Sequence, residues 1–351
     1  MATKSKRKEP NDGPYKKLQA DLKAGTAGGV YLFYGEEDYL RQHSLEALRK
    51  LLVPAGSEEF NYHVLEGKGL PMQDLAEMAE AMPMLAEHTL LVVNDCDLYK
   101  LPEDQRTRLQ DLLEDFPPYC CLVFVYDAIP YKPNRTLRRF HAALEAHVQA
   151  VEFQASGTGP LVRWIQKHFR TLGKEIAVSE CEYLIFTCGS LMAGLAPEIE
   201  KVGAYAKGER ITREDIDAVA VPVLSAETFR MTDAVIQGDA NRAASILGDL
   251  LALKTRPAGI LVSLGTQLRQ LWTARIALDT GRGQDWLAKL WGMHPYRAKL
   301  LLQAARRTDR RWCAESVKLC QVLDRRMKSE RGVDDAAELK LLLVRLEAER
   351  R

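Results

Sequence analysis

Short apolar runs alternate with helix-like patterns over the first part of the chain. An uninterrupted run such as residues 30–34 is typical of a strand covered on both faces. After it, Tyr39, Leu40 and Leu45 recur at the spacing of one helix face. The strands predicted in this way span residues 30–34, 61–65, 89–93, 120–126 and 148–153. Because helices are predicted between them, the sequence indicates an α/β domain with a mostly parallel sheet and helices on both faces.

The pattern changes after residue 153. Residues 155–160 read A-S-G-T-G-P and predict a linker, and no strand is indicated beyond it. A capping-box-like T-R-E-D at residues 212–215 predicts a helix start, and five or six helices are predicted over residues 225–351. The expected organisation is a disordered basic start at 1–14, an α/β domain at 15–155, a small helical domain at 156–222 and an all-helical domain at 223–351.

Charge and cysteine content narrow the class of protein. The 49 basic and 48 acidic residues nearly cancel, so a nucleic-acid contact would need a local basic surface. The seven cysteines form no C-x-x-C pair and no cluster with zinc spacing, which favours a reduced interior. No stretch approaches the roughly 18 apolar residues of a membrane span, and no signal-peptide core follows the basic N-terminus. We therefore expect a cytoplasmic protein with no metal and no membrane partner.

The turn after the first predicted strand has the position of a nucleotide-binding loop but not its residues. It reads Y-G-E-E-D-Y-L-R-Q, whereas phosphate loops read G-x-x-x-x-G-K-[ST]. With Gly35 as the first glycine, the remaining positions hold Leu40, Arg41 and Gln42 instead of glycine, lysine and Ser/Thr. The three acids at 36–38 would also repel a triphosphate. The sequence therefore predicts no bound nucleotide cofactor.

Other polar positions leave their chemistry open. Asp95 and Asp97 follow a predicted strand, where they could hold a metal or end the strand as polar residues often do. No H-E-x-x-H or G-x-S-x-G motif occurs, so no catalytic residue is predicted.

Two basic stretches could contact phosphate groups. The first contains Lys132, Arg135, Arg138 and Arg139, after the strand predicted at 120–126. The second is R-R-T-D-R-R at residues 306–311 in the helical tail. A solvated face or a contact between subunits would explain each stretch as well, so both interpretations stay open.

The stretches Y-L-F-Y-G-E-E-D-Y-L and G-S-L-M-A-G-L-A-P-E-I-E-K-V, followed by an all-helical tail, carry a family resemblance. From about residue 15 to its end, the chain resembles the delta subunits of bacterial DNA polymerase III clamp loaders, AAA+ relatives without ATPase function. The resemblance implies an AAA+-like domain with a degenerate phosphate loop, a helical lid and a helical collar. It also places Met192 where nucleotide-hydrolysing relatives have a lid arginine that reaches the γ-phosphate.

The same resemblance implies a function and partners. The chain would bind and open the sliding clamp (the beta subunit) for loading onto primed DNA, without hydrolysing ATP itself. It would do so in a hetero-pentamer with gamma/tau and delta prime subunits, within the polymerase III nucleotidyltransferase complex. Family members insert two adjacent hydrophobic residues from a helix end into the clamp. Met84 and Leu85 match that pair, next to Met82 and Pro83, and differ from the leucine–phenylalanine pair of some relatives.

The sequence leaves three alternatives to this interpretation. Met84 and Leu85 could simply cover the sheet as core residues. The chain could instead be an ATP-binding AAA+ ATPase with an unusual loop. It could also be a helical nucleic-acid-binding adaptor that has no relation to clamps.

Overall fold

Five parallel strands form the sheet of the first structural unit. The computed structural model describes residues 13–330 and 332–350, and residues 13–156 with 191–193 form this unit. The sheet order is β2-β3-β4-β1-β5, and all its pairs are parallel. Its strands are β1 Gly29–Tyr34, β2 Tyr62–Glu66, β3 Thr89–Asn94, β4 Cys120–Val125 and β5 Val148–Glu152. The predicted parallel sheet is therefore confirmed.

Helices cover both faces of this sheet. They are α1 Gly13–Ala24, α2 Asp38–Leu52, α3 Glu58–Asn61, α4 Met72–Glu80, α5 Glu103–Glu114 and α6 Arg138–His147, with a 3₁₀ turn at Leu98–Lys100. Alternate residues of β1 point to opposite faces, so Val30 and Leu32 pack towards α4, α5 and α6, while Tyr31 and Phe33 pack towards α1 and α2. Two apolar cores hold the sheet between these helical layers.

The second unit, residues 157–190 and 194–350, is mostly helical. Its first part contains α7 Thr158–Thr171, β6 Glu175–Ile176, α8 Val178–Cys188, α9 Met192–Tyr205, β7 Arg210–Ile211 and α10 Arg213–Val219, with Met192 and Ala193 grouped with the first unit. Two predictions are corrected here. Helix α7 begins inside the predicted linker, and β6 and β7 form a two-residue parallel pair where no strand is predicted. The predicted capping box between Thr212 and Asp215 is confirmed.

Seven helices follow among the residues that the structure describes, more than the five or six that the sequence predicts. They are α11 Leu224–Gln237, α12 Ala240–Ala252, α13 Pro257–Asp279, α14 Gln284–Trp291, α15 Pro295–Ala305, α16 Arg310–Ser329 and α17 Asp335–Ala348. The long helix α13 is apolar over most of its circumference because α11, α15 and α16 pack around it. The boundary predicted between 156–222 and 223–351 lies inside this unit and stays a prediction.

The cysteines, the helix lengths and the first residues of the chain are also the subject of expectations from the sequence. The seven cysteines are buried and form no disulfide, and burial raises the pKa of the Cys120 thiol to about 12. None of the described helices combines the length and the apolar character that crossing a bilayer demands. The start predicted to be disordered at 1–14 falls mainly on residues outside the described part, whereas Gly13 already begins α1.

Candidate functional site

The side chain of Arg41 fills the turn that follows β1. Its guanidinium donates to the carbonyl oxygens of Gly35 and Tyr126, at 3.1 and 3.3 Å. It also donates to the carboxylates of Asp38 and Asp127. Arg41 is only 2% exposed, whereas the two carboxylate side chains are 50% and 62% exposed. The residue at the position of a phosphate-binding lysine is thus engaged by acceptors of the protein itself.

Glu37, the middle of the three acids, is fully buried, whereas Glu36 is exposed. Its carboxylate accepts hydrogen bonds from the backbone N–H of Met192 at 3.2 and 3.1 Å. Burial raises the pKa of Glu37, while hydrogen bonds from the N–H groups of Met192, Ala193 and Tyr39 lower it. Backbone N–H groups at the start of a helix are a common anion site, and here a carboxylate of the chain occupies them.

Gly35 is required by close packing of the turn against β5. Its φ is +127°, and an added Cβ would lie 2.3 Å from the carbonyl oxygen of Phe153. The N–H of Glu37 donates to that same oxygen at 3.0 Å. Leu40 is half-buried and packs into the core between the sheet and α1 and α2, while Gln42 is exposed. The glycine therefore serves the fold, and no second glycine opens the turn.

The sequence also singles out Met192 and Asp95, and the structure shows what surrounds each of them. Met192 is 4% exposed, so an apolar side chain is buried where the resemblance places the missing arginine. Asp95 has a left-handed backbone, φ +53°, and its Oδ1 accepts from the N–H groups of Asp127, Ala128 and Ile129 at 2.9, 2.9 and 3.2 Å. Among the described residues no group of three or more His, Cys, Asp or Glu could hold a metal ion. Asp95 shapes the loop after β4.

Large apolar side chains stand exposed in the segment between α4 and β3. Met82 is 74% exposed, Met84 55% and Leu85 82%, while Pro83 is half-buried. The interpretation that Met84 and Leu85 cover the sheet is therefore wrong. Leu85 also has φ +58°, a left-handed conformation that costs a leucine roughly 1–2 kcal/mol. Local strain on an exposed apolar residue is typical of a functional position.

The side chain of Asn61, which the sequence does not single out, fixes this segment. It is fully buried at the end of α3. Its Oδ1 accepts from the N–H of Met84 at 2.9 Å, and its Nδ2 donates to the carbonyl oxygen of Met84 at 2.6 Å. Nδ2 also donates to the carbonyl oxygen of Ser57 at 3.0 Å. Asn61 is the first residue of the strand predicted at 61–65, and nothing in the sequence points to its contact with Met84.

The first predicted basic stretch forms an exposed surface in the loop before α6 and on its first turn. Lys132, Arg135, Arg138 and Arg139 are all exposed. Within residues 13–330 and 332–350, no carboxylate lies within ion-pair distance of these four side chains. Asn134 holds the loop through hydrogen bonds from the N–H and hydroxyl of Thr136, at 3.0 and 2.6 Å. The structure thus presents four cations from one ordered segment.

Fold and turn together define the class: a parallel α/β unit in which side chains of the protein fill the turn after β1, followed by a mostly helical unit. Comparison with known proteins agrees. The family model for the DNA polymerase III delta subunit matches residues 31–154, and the model for its C-terminal domain matches residues 225–346. The chain belongs to the DNA polymerase III delta subunit family.

Individual relatives are distant in sequence. The chain is 23% identical over 334 residues to DNA polymerase III subunit delta of Bacillus subtilis, covering 93% of this chain and 94% of the relative. It is 23% identical over 259 residues to the delta subunit of Escherichia coli, with 72% of each chain covered. A solved structure, the Bacillus subtilis DNA clamp loader delta protein YqeN, matches with a TM-score of 0.55 and 22% identity, over 95% of this chain and 99% of that one. At this identity the structural match shows the fold alone.

Proposed function

We propose that the chain is a clamp-loader subunit that binds the sliding clamp through residues 82–85 and helps to open it for loading onto primed DNA. The observation that carries the proposal is the exposed pair of Met84 and Leu85 on a turn that Asn61 holds in place. Moving one such side chain from water into a pocket contributes about 1.5–3 kcal/mol to the free energy of binding. Two adjacent anchors of this kind are typical of an interface hot spot.

The turn after β1 supports a function without ATP hydrolysis by this chain. Arg41 and Glu37 are hydrogen-bonded to other groups of the chain. A phosphate loop would instead offer a lysine and free N–H groups to the nucleotide. The buried Met192 adds no cation. We therefore propose that the chain moves in response to its neighbours instead of turning over ATP itself.

The proposed partners follow from the family. They are the sliding clamp (beta subunit) and, through the helices of residues 223–351, gamma/tau and delta prime subunits in a hetero-pentamer. Primed DNA is the proposed nucleic-acid partner, and the four exposed cations Lys132, Arg135, Arg138 and Arg139 are its proposed contact in the first unit. We propose a cytoplasmic location, with the replication machinery.

Clamp binding by the full chain tests the proposal. We expect wild type to bind an immobilised sliding clamp, and Met84→Ala/Leu85→Ala to bind at least about tenfold more weakly, because both anchors are truncated. Leu253→Ala/Val262→Ala is a matched control, since these side chains of the second unit are also 77% and 60% exposed. Equal binding by wild type and the Met84/Leu85 variant would contradict the assigned contact.

A nucleotide titration separates the proposal from the ATPase alternative. We expect no saturable binding of ATP–magnesium to the isolated chain, because Arg41 and Glu37 already occupy the turn. Micromolar affinity would favour the ATPase interpretation instead.

A further inference from the structure

A second basic surface lies at the turn between α15 and α16. Residues 306–311 contain four arginines and one aspartate, in a chain whose formal net charge is +1. Arg306, Arg307, Arg310 and Arg311 are all exposed. We name the three that have no carboxylate within ion-pair distance among the described residues, Arg306, Arg307 and Arg311, the arginine turn.

The remaining groups around this turn hold it in one conformation. Asp279, near the end of α13, accepts from Arg275 on its own helix and from Arg310 at 2.6 Å. The Arg275 guanidinium reaches the carbonyl oxygens of Ala305 and Thr308, at 3.2 and 3.5 Å. These contacts attach both sides of the turn to α13.

The turn is also capped internally. The Asp309 side chain accepts from the N–H of Trp312 at 2.8 Å and caps α16. The Thr308 hydroxyl donates to the carbonyl oxygen of Ala305 at 3.1 Å. A fixed backbone reduces the entropy lost when the three free arginines meet a ligand.

The composition of the surface indicates the class of ligand. Residues 303–315, the turn and the helix ends beside it, expose no large hydrophobic residue, so the turn itself offers no apolar anchor of the kind typical of a protein interface. Arg311 lies in the first turn of α16, two residues after the Asp309 cap, and its side chain is exposed. Arginine also binds phosphate oxygens in a bidentate manner.

We propose that the arginine turn binds the phosphate backbone of nucleic acid, as a contact separate from the four cations of residues 132–139. The proposal rests on the proposed function only in taking DNA as the polyanion. It assigns no base recognition to the turn, because phosphate contacts carry no sequence information.

Salt-dependent DNA binding by the full chain tests this proposal. Labelled single-stranded and duplex DNA are titrated by fluorescence anisotropy between about 50 and 200 mM salt. For Arg306→Gln/Arg307→Gln/Arg311→Gln we expect about tenfold weaker binding at low salt, and a slope of log affinity against log salt that is smaller by about 2. Comparing the two probes shows which form of DNA the turn prefers.

Two control variants make the result specific. Arg242→Gln/Arg256→Gln/Arg345→Gln removes the same charge from exposed arginines elsewhere in the second unit and should bind DNA like wild type. Replacing the arginine turn by three lysines should keep most of the salt slope, because the phosphate attraction is retained. Thermal melting of each variant confirms that the fold is retained.

The proposal is overturned if wild type binds neither probe, if the control loses as much affinity as the arginine-turn variant, or if the lysine variant behaves like the glutamine variant. Clamp binding by the same variants should equal that of wild type. If wild type does not bind the clamp, the proposed function is contradicted. The DNA measurement can still be interpreted, because it does not depend on the clamp.

Discussion

The buried amide of Asn61 hydrogen-bonds to both the N–H and the carbonyl oxygen of Met84, at 2.9 and 2.6 Å. One side chain, 23 residues earlier in the chain, thereby satisfies the backbone of a residue whose own side chain is exposed. This pairing resembles a rung between two strands, and it sets the direction in which Met84 and Leu85 leave the surface. The segment is preorganised before any partner arrives.

Asn61→Ala should therefore weaken clamp binding although it removes neither apolar anchor. The two lost hydrogen bonds to Met84 contribute about 0.5–1.5 kcal/mol each, so we expect between about 5-fold and about 150-fold weaker binding as the segment loses its fixed geometry. Surface plasmon resonance against the clamp measures it, with circular dichroism to confirm folding.

Asn134→Ala is the matched control, since Asn134 also fixes a loop of the first unit but not the segment of residues 82–85. Its clamp affinity should equal that of wild type. If Asn61→Ala binds the clamp as well as wild type while folded, preorganisation of Met84 is not part of binding.

Leu85→Asn should change stability and clamp binding in opposite directions. Leucine is unfavourable at φ +58°, whereas asparagine tolerates this conformation, so the free energy of unfolding should stay equal or rise by up to about 1 kcal/mol. Clamp binding should fall about tenfold, because an apolar anchor is lost. Urea denaturation and clamp titration on one preparation measure both quantities.

A residue retained only for the fold gives a different pattern. If Leu85→Asn lowers stability and leaves clamp affinity unchanged, Leu85 supports packing and the proposed contact is wrong. Leu253→Asn, at another exposed leucine, should leave clamp affinity unchanged and serves as the comparison.

The sheet could be predicted because its strands carry their signal locally. Strands β1, β3 and β4 are covered on both faces, so nearly every residue in them is apolar, and short runs of this kind are recognisable without the fold. Strands β6 and β7 have two residues each and offer no period to detect. Helix α11 ends at a left-handed Gly238 with Asp239 capping α12 directly after it, a turn too short to separate two helices by composition.

The candidate site was predictable only in part. Met84 and Leu85 could be named from the family resemblance, but the sequence does not show whether an apolar residue is buried or exposed. Asn61 acts through a contact between distant segments, and the left-handed backbone of Leu85 has no signature in a leucine. The sequence also places Glu37 beside a hypothetical phosphate, whereas tertiary packing gives it N–H partners at Met192.

Arg41→Lys places a lysine where phosphate loops have one, but it should not create an ATP site. One ammonium cannot replace a guanidinium that contacts two carbonyl oxygens and two carboxylates. Because both carboxylates are about half exposed, we expect a loss of about 2 kcal/mol in unfolding free energy, below the 3–5 kcal/mol typical of breaking a fully buried pair.

Chemical denaturation and an ATP titration check both parts of this prediction. Arg49→Lys, at a half-buried arginine paired with Glu46 on the same helix, should leave the unfolding free energy nearly unchanged. Micromolar ATP binding by Arg41→Lys would show that arginine alone keeps nucleotide out of the turn.

His294 should make the second unit sensitive to mild acid. It is the N-cap of α15, and its Nδ1 accepts from the N–H of Tyr296 at 3.1 Å. Burial lowers the pKa of His294 from the ordinary value of 6.5, although Glu182 opposes the shift. Only unprotonated Nδ1 can accept this bond, so protonation removes the cap.

The sign of the effect follows from the lowered pKa. The stabilisation is fully present above the unfolded-state value of 6.5 and is lost as the pH falls through the lower folded-state value. Asparagine caps helices well and does not titrate. Between neutral and mildly acidic pH, the free energy of unfolding should therefore fall by about 1 kcal/mol less in His294→Asn than in wild type. Urea denaturation of both proteins at several pH values measures the difference. Parallel curves would mean that the charge state of His294 does not control the cap, because the two proteins differ at this position alone.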